Sequence, residues 1–160
     1  MKALLLLALV SLPVQAFADA DPGEGWHFNA SAGLGAAYGL AGLKAEVRHS
    51  QWAGFAGVGP ITPLAATVGI RYYDYLYAEG FFASVHVTWA RPGFFSTSIR
   101  HLFIISATLN YRWKGESWFF EVGLGPALAI VRRETTSTEW GLGGKALPLP
   151  DFNLGIGFEL

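Results

Sequence analysis

The sequence predicts an all-β chain that forms an eight-stranded antiparallel up-and-down transmembrane β-barrel, and three observations predict it. A cleavable leader opens the chain, and residues 152–160 alternate strictly between large apolar and small or polar side chains. More than half of the residues (52%) are hydrophobic, yet no uninterrupted apolar run after the leader is long enough for a spanning helix. A membrane protein without such helices has to be a barrel.

Residues 1–18 have the composition of a secretory signal peptide. Lys2 gives a basic start, 3–14 form a short apolar core, and small residues around Ala18 provide a cleavage site. The predicted cut follows Ala18, with Ala20 as the alternative.

The remainder, 19–160, is long enough for a single barrel domain. Lys2 leaves with the leader, so ten of the 11 basic residues remain against 12 acidic residues, and this balance gives no reason to expect nucleic acid as a partner. The absence of Cys excludes a lipid-modified N-terminal cysteine, a disulfide framework and thiolate metal sites.

Eight segments show the two-residue period of a β-strand. They cover about 26–38, 42–50, 53–59, 65–76, 79–90, 102–113, 117–131 and 151–160. In the first segment, Trp26 and His27 lie on opposite faces of the strand. Lys44 and Glu46 share the polar face of the second segment, and Arg71 lies on the polar face of the fourth. The third is rich in small residues, so alternation does not fix its register.

The last four segments alternate clearly, and their apolar faces are predicted to face lipid. The fifth and sixth place His86 and Thr108 on polar faces, the seventh does the same with Glu121, and the eighth alternates to the end of the chain. The predicted lipid-facing residues include Val85, Val87, Leu109 and Val122.

Loop lengths and aromatic residues orient the predicted barrel. The joins near Ser50, Tyr77 and Gly115 are tight, whereas the joins 91–101 and 132–150 are long. Short turns on one rim and long loops on the other are typical of outer-membrane barrels with both termini in the periplasm. Aromatic residues near the short turns and termini predict a girdle at the periplasmic interface. They are Trp26, Tyr72, Tyr73, Tyr75, Tyr77, Phe81, Tyr111, Trp113, Trp118, Phe119, Phe120 and Phe158.

The polar faces predict a narrow lumen that is filled by side chains. An eight-stranded barrel has a bore of side-chain width, and nearly balanced inward charges predict a hydrogen-bonded ionic network. The predicted network consists of Lys44, Glu46, Arg48, Arg71, Arg112, Glu121 and Glu159. The same faces carry His27, Asn29, Ser84, His86, Thr88, Thr108, Asn110 and Asn153.

Six glycines on adjacent strands are predicted to lie at mid-height of this lumen. They are Gly33, Gly35, Gly123, Gly125, Gly155 and Gly157, and we call them the glycine wall. We expect them to permit sharp coiling and close strand approach in a small barrel. The alternative is a concave wall that accepts large side chains from opposite strands, an inserted loop or an acyl chain.

The strand segments 68–73, 118–126 and 155–160 resemble those of the small eight-stranded outer-membrane barrels, the group that includes the OmpA membrane domain, OmpX and OmpW. The resemblance covers 19–160 and implies a porin-like protein of a Gram-negative outer membrane, with the barrel assembly machinery as a partner. In that group the assembly signal usually ends in an aromatic residue, whereas this chain ends in Leu160.

His86 and Thr88 are the candidates for chemistry. Small barrels of the lipid A deacylase kind are similar in size and use a His-x-Ser-Asn phrase, followed by a Glu, to activate a serine nucleophile. Here Thr88 replaces the serine, Trp89 replaces the asparagine, and no acidic residue follows until Glu116. We therefore expect no catalytic residues, with a lipid A or phospholipid hydrolase as the alternative.

Partners are predicted from the remaining polar residues. The four histidines have no paired spacing, so neither a metal nor a cofactor is expected. Arg91, Arg100, Arg132 and Arg133 near the outer rim are candidates for contacts to lipopolysaccharide phosphates. The sequence thus favours a monomer in contact with outer-membrane lipids and lipopolysaccharide, with a structural or surface-interaction role. A narrow small-solute channel is the third candidate function.

Overall fold

The computed structural model describes residues 25–59, 64–74, 79–91, 99–133 and 145–160, and the predicted leader lies outside them. The strands are β1 (Trp26–Gly35), β2 (Leu40–His49), β3 (Trp52–Gly59), β4 (Leu64–Tyr73), β5 (Gly80–Arg91), β6 (Ile99–Lys114), β7 (Trp118–Arg133) and β8 (Lys145–Glu159). Each strand pairs antiparallel with the next, and β8 pairs with β1 to close a barrel. The predicted eight-stranded, antiparallel up-and-down barrel is confirmed. Within the described ranges, no helix is long and apolar enough to cross a membrane.

Side chains alternate between the inside and the outside of this barrel along its strands, as the period of a β-strand requires. The alternation is regular even in β3, where Ala53 and Phe55 are buried while Trp52 and Val58 are exposed. The sequence alone did not fix the register of β3. In the structure, Phe55 points inward. Leu109 lies on the exposed outer face of the barrel.

β1 ends earlier than the sequence predicts. It stops at Gly35 instead of residue 38, and Ala36–Tyr38 form a single 3-10 turn, called the plug turn here. Gly35 has φ 109° and Gly39 has φ 64°, a region that glycine adopts without the steric penalty of a Cβ atom. These two glycines let the chain leave the strand, enter the barrel and return to β2.

β8 begins earlier than predicted, at Lys145 instead of residue 151. The predicted long loop 132–150 includes Pro148 and Pro150, residues that cannot donate to a strand ladder. In the structure both prolines lie in β8, and the pairing of β7 with β8 ends at Val131 opposite Lys145. Residues 134–144, the remainder of that predicted loop, lie outside the described part of the chain.

Part of the predicted aromatic girdle is wrong. Tyr73 and Phe119 are only 2% exposed and point into the barrel, because each alternates with an outward neighbour on its strand. Proximity to a short turn in sequence does not place a ring on the outer face when the strand period places it inside. Tyr75 and Tyr77 lie outside the described residues. Several of the other predicted rings are exposed at the short-turn rim, namely Trp26, Tyr72, Phe81, Trp113, Trp118 and Phe158.

Candidate functional site

Five charged side chains from four strands meet inside the barrel. They are Lys44 and Glu46 of β2, Arg71 of β4, Arg112 of β6 and Glu121 of β7, and we call them the charged core. Each lies on an inward position of its strand, and each is at most 3% exposed. Alternation in the sequence could assign these residues to the interior, but their convergence depends on the registers of the strand pairs.

The charged core is held by shared carboxylates. Arg71 Nη1 lies 2.6 Å from Glu46 Oε2 and 3.0 Å from Glu121 Oε2. Arg112 Nη2 lies 2.8 Å from Glu121 Oε2 and 3.2 Å from Glu46 Oε1, so each guanidinium bridges both carboxylates. Lys44 adds a third cation on Glu121. Charge-assisted bonds of this kind compensate the desolvation of buried charges only while every partner is present.

Aromatic rings surround the charged core. The Arg112 guanidinium carbon lies 4.0 Å from the centroid of the Phe119 ring, and the Arg71 guanidinium carbon lies 4.7 Å from the centroid of Phe82. Tyr73 donates a hydrogen bond to Glu46 Oε1 at 2.8 Å. Cation–π contacts and this hydroxyl donor stabilise charges that water cannot reach. Tyr73 and Phe119 were not expected here, because the sequence predicts both for the girdle.

The plug turn places Tyr38 directly on the charged core. Its hydroxyl donates to Glu121 Oε1 at 2.5 Å and accepts a hydrogen bond from Lys44 Nζ at 3.1 Å. The ring occupies the space in front of two glycines of the glycine wall, because a Cβ atom at Gly33 would lie 2.7 Å from Tyr38 Cζ. A Cβ atom at Gly155 would likewise collide with the Tyr38 ring. At this position the glycine wall accepts an inserted loop.

Three other glycines of the wall face different groups. A Cβ atom at Gly157 would lie 2.5 Å from Phe119 Cζ, and one at Gly123 would meet the Asn110 side chain. Gly125 lies against the backbone of the neighbouring strand β6, as expected for close strand approach. The glycine wall therefore combines both predicted roles, with large side chains in front of some members and backbone in front of others.

Strands β5 and β8 fix the backbone of the plug turn. The Ala36 N–H donates to Asp151 Oδ1 at 3.3 Å, and the Ala37 N–H donates to Asn153 Oδ1 at 3.1 Å. From the other side, the Thr88 hydroxyl donates to the Ala36 carbonyl at 2.7 Å. The first two bonds give partners to buried N–H groups, and the Thr88 hydroxyl adds a second donor to the Ala36 carbonyl, which also accepts from the Gly39 N–H. The candidate nucleophile Thr88 is thus engaged with the backbone of the plug turn.

His86 has an acidic neighbour that the sequence analysis missed. Its Nε2 atom lies 3.1 Å from Asp151 Oδ2, and both side chains are buried. Asp151 comes from β8, far along the chain from Thr88. A search for an acid close to Thr88 in sequence could therefore not find it. The usable signal is its position at the start of the inward series that continues with Asn153. A His–acid pair is therefore present, and its carboxylate also binds the plug turn.

The two remaining charges of the predicted network lie towards the short-turn end of the barrel. Glu159 pairs with His27 Nδ1 at 2.8 Å and with Lys114 near the short turns, and it is not part of the charged core. Arg48 is buried, with its guanidinium carbon 5.6 Å from the centroid of the Tyr73 ring.

The cations predicted for the outer rim lie at the opposite end of the barrel. Arg91 ends β5 and is exposed. Pairing of β6 with β7 places Arg132 opposite His101 and Arg133 opposite Ile99, so that Arg100 lies between the two paired positions of β6.

Within the described residues, no group of three or more His, Asp and Glu side chains is arranged to hold a metal ion. The fold and the site together define a closed eight-stranded barrel with a charged, filled interior. No protein-family model, curated protein or solved structure matches this chain.

Proposed function

We propose that the protein is a monomeric, non-enzymatic outer-membrane barrel of a Gram-negative bacterium, with a structural or surface-interaction role. The observation that supports this proposal is the inverted polarity of the barrel. Ionised side chains such as Glu46 and Arg71 are at most 1% exposed, whereas Val68 and Leu124 are 62% exposed. A barrel in water would bury its large aliphatic residues.

The outer face supports a lipid environment. A large apolar outer surface is unfavourable in water but favourable in a bilayer. A bilayer also requires that backbone groups be paired, as they are in a closed barrel. Exposed large aliphatic residues occur on the outer faces of most strands. They include Leu43, Val58, Leu64, Val68, Ile70, Val85, Leu109, Leu124 and Ile156.

The residues at the two rims support one orientation of the barrel in the membrane. Exposed rings of Trp26, Trp52 and Trp118 lie at the rim that carries the short turns and the end of β8, as amphipathic rings do at a membrane interface. In the proposed orientation this rim faces the periplasm and resembles that of the small outer-membrane barrels. The cations at the opposite rim then lie at the level of lipopolysaccharide phosphates, which arginine binds in bidentate fashion.

The filled interior favours the structural role over the channel alternative. The charged core bridges β2, β4, β6 and β7, and the plug turn lies on it. A solute path would have to pass both. Breaking bonds between buried charges is costly, so this arrangement supports a barrel that stays closed.

A first experiment tests the membrane location. Because the chain has no Cys, single cysteines at Leu124→Cys on the outer face and at Glu116→Cys in a turn can carry a fluorophore. In vesicles whose lipids carry bromine at mid-chain, we expect strong quenching of the label at position 124 and little at 116. Equal, weak quenching of both labels in a folded protein would contradict the proposal.

A second experiment tests the absence of enzymatic activity. The purified folded barrel is expected to release no fatty acid from lipopolysaccharide or phospholipid. His86→Ala, Thr88→Ala and Asp151→Asn should each lower stability, because all three residues support the plug turn or its acidic anchor. A burst of released acyl chain that disappears in these variants would establish the hydrolase alternative, with Thr88 as the nucleophile.

A further inference from the structure

Among the strands that the structure describes, one has an edge with no strand paired to it. The last partner of β8 on β1 is Leu154, opposite Leu34, whereas β8 continues to Lys145 and pairs there with β7 alone. The stretch 145–153 of β8 is therefore an edge strand above the end of β1. Unpaired N–H and C=O groups on such an edge are a template for pairing with another chain.

The backbone hydrogen bonds at the end of β8 give the direction of each N–H group. The Glu159 N–H donates to the Ser117 carbonyl on the β7 side at 3.1 Å. The Leu160 N–H donates to the Phe28 carbonyl of β1 at 2.8 Å. Successive N–H groups of a strand point to opposite sides, and β7 and β8 stay in one register throughout. Odd-numbered residues of β8 therefore donate to β7, and even-numbered residues donate towards β1 or the free edge.

Pro148 and Pro150 are both even-numbered, so the N–H groups that they lack would have pointed to the free edge. The ladder with β7 loses no donor. Pro126 of β7 gives an internal check, because it lies opposite Pro150 and its missing N–H must then face β6. The pairing of β6 with β7 is indeed interrupted there, between Ser106 and Leu109. The two prolines of β8 occupy the positions at which proline leaves the barrel ladder intact.

We propose that these prolines make the free edge of β8 refuse strand addition by a second copy of this chain. Two copies could otherwise pair their β8 edges antiparallel about a two-fold axis and form one continuous sheet. Carbonyl oxygens of the second strand would find no donor opposite Pro148 or Pro150. The inference deepens the monomeric state in the proposed function and rests on it.

The main test restores the missing donors. Pro148→Val with Pro150→Val returns both N–H groups with residues that favour strands. Sedimentation in density-matched detergent should give a monomer for the parent and a doubled protein mass for this variant at micromolar concentration. The matched control, Leu147→Val with Leu149→Val, changes only residues that donate to β7 and should remain a monomer. The proposal is overturned if the variant with Pro148→Val and Pro150→Val stays monomeric, or if the parent is already a dimer.

A second pair of variants tests which N–H groups of β8 point to the free edge and which donate to β7. This test holds even if the variant with both proline substitutions does not fold. Ala146→Pro removes a donor on the free edge and should leave the thermal midpoint nearly unchanged. Leu147→Pro removes a bond to β7 and should lower it clearly. The reverse order would overturn the proposal. Neither result depends on lipid, so this failure is distinguishable from failure of the membrane location, which the quenching experiment tests.

Discussion

Replacing Glu121 with glutamine is expected to lower the free energy of unfolding by about 3–5 kcal/mol, because it removes one partner of a buried ion-pair network. Glu121 accepts bonds from Arg71, Arg112, Lys44 and the Tyr38 hydroxyl. A neutral amide would leave three buried cations with Glu46 as the only anion of the charged core. Denaturant unfolding of the barrel in vesicles, followed by tryptophan fluorescence, measures the change.

The matched control for this variant is Glu116→Gln. Glu116 is exposed in the turn between β6 and β7, where removal of one charge should change the free energy of unfolding by less than about 0.5 kcal/mol. Comparable effects of the two substitutions would mean that water screens the charged core. That result would favour the narrow channel over a closed structural barrel.

The substitution Leu109→Arg is expected to destabilise the barrel in a bilayer by about 2–4 kcal/mol, the cost of a cation on the lipid face near the midplane. Leu109 is 60% exposed on the outer face of β6. The same change at Leu64, which is 63% exposed at the end of β4 near the outer rim, should cost only about 0–1 kcal/mol. Reversible unfolding from vesicles measures both.

This comparison separates lipid from water. The two leucines have nearly the same exposure, so a barrel surrounded by water should tolerate both substitutions equally. A difference between them that disappears in short-chain detergent would add support for the bilayer. Equal costs in vesicles would contradict the proposed membrane location.

The two-residue period predicted eight strands and, except in β3, the faces of most of their residues. Alternation in β5 separates Val85 from His86 without any knowledge of neighbouring strands, and the structure has the same separation. The girdle prediction was wrong for Tyr73 because it grouped rings by their proximity to a short turn, whereas alternation with the exposed Tyr72 places Tyr73 inside. The predicted loop 132–150 was wrong at its end, because Pro148 and Pro150 lie in β8.

Contacts across the barrel could not be predicted from the period. The meeting of His86 with Asp151 depends on the successive registers of β5 to β8, and alternation fixes the face of each residue but not its height. The inward path of the plug turn was equally inaccessible, since a glycine at position 35 permits many chain directions. Only the bonds from Asp151, Thr88 and the charged core select the one that enters the barrel.

The plug turn also ties the first hairpin of the barrel to the last. Closure pairs Asn29 with Glu159, contacts so distant in sequence that almost the whole chain must be in place before they form. The bonds from the plug turn to Asp151 and Asn153 cross the same seam, so they form only when closure is complete. Interactions absent from the transition state slow unfolding and leave folding unaccelerated. We therefore expect the plug turn to slow the unfolding of the closed barrel without speeding its folding.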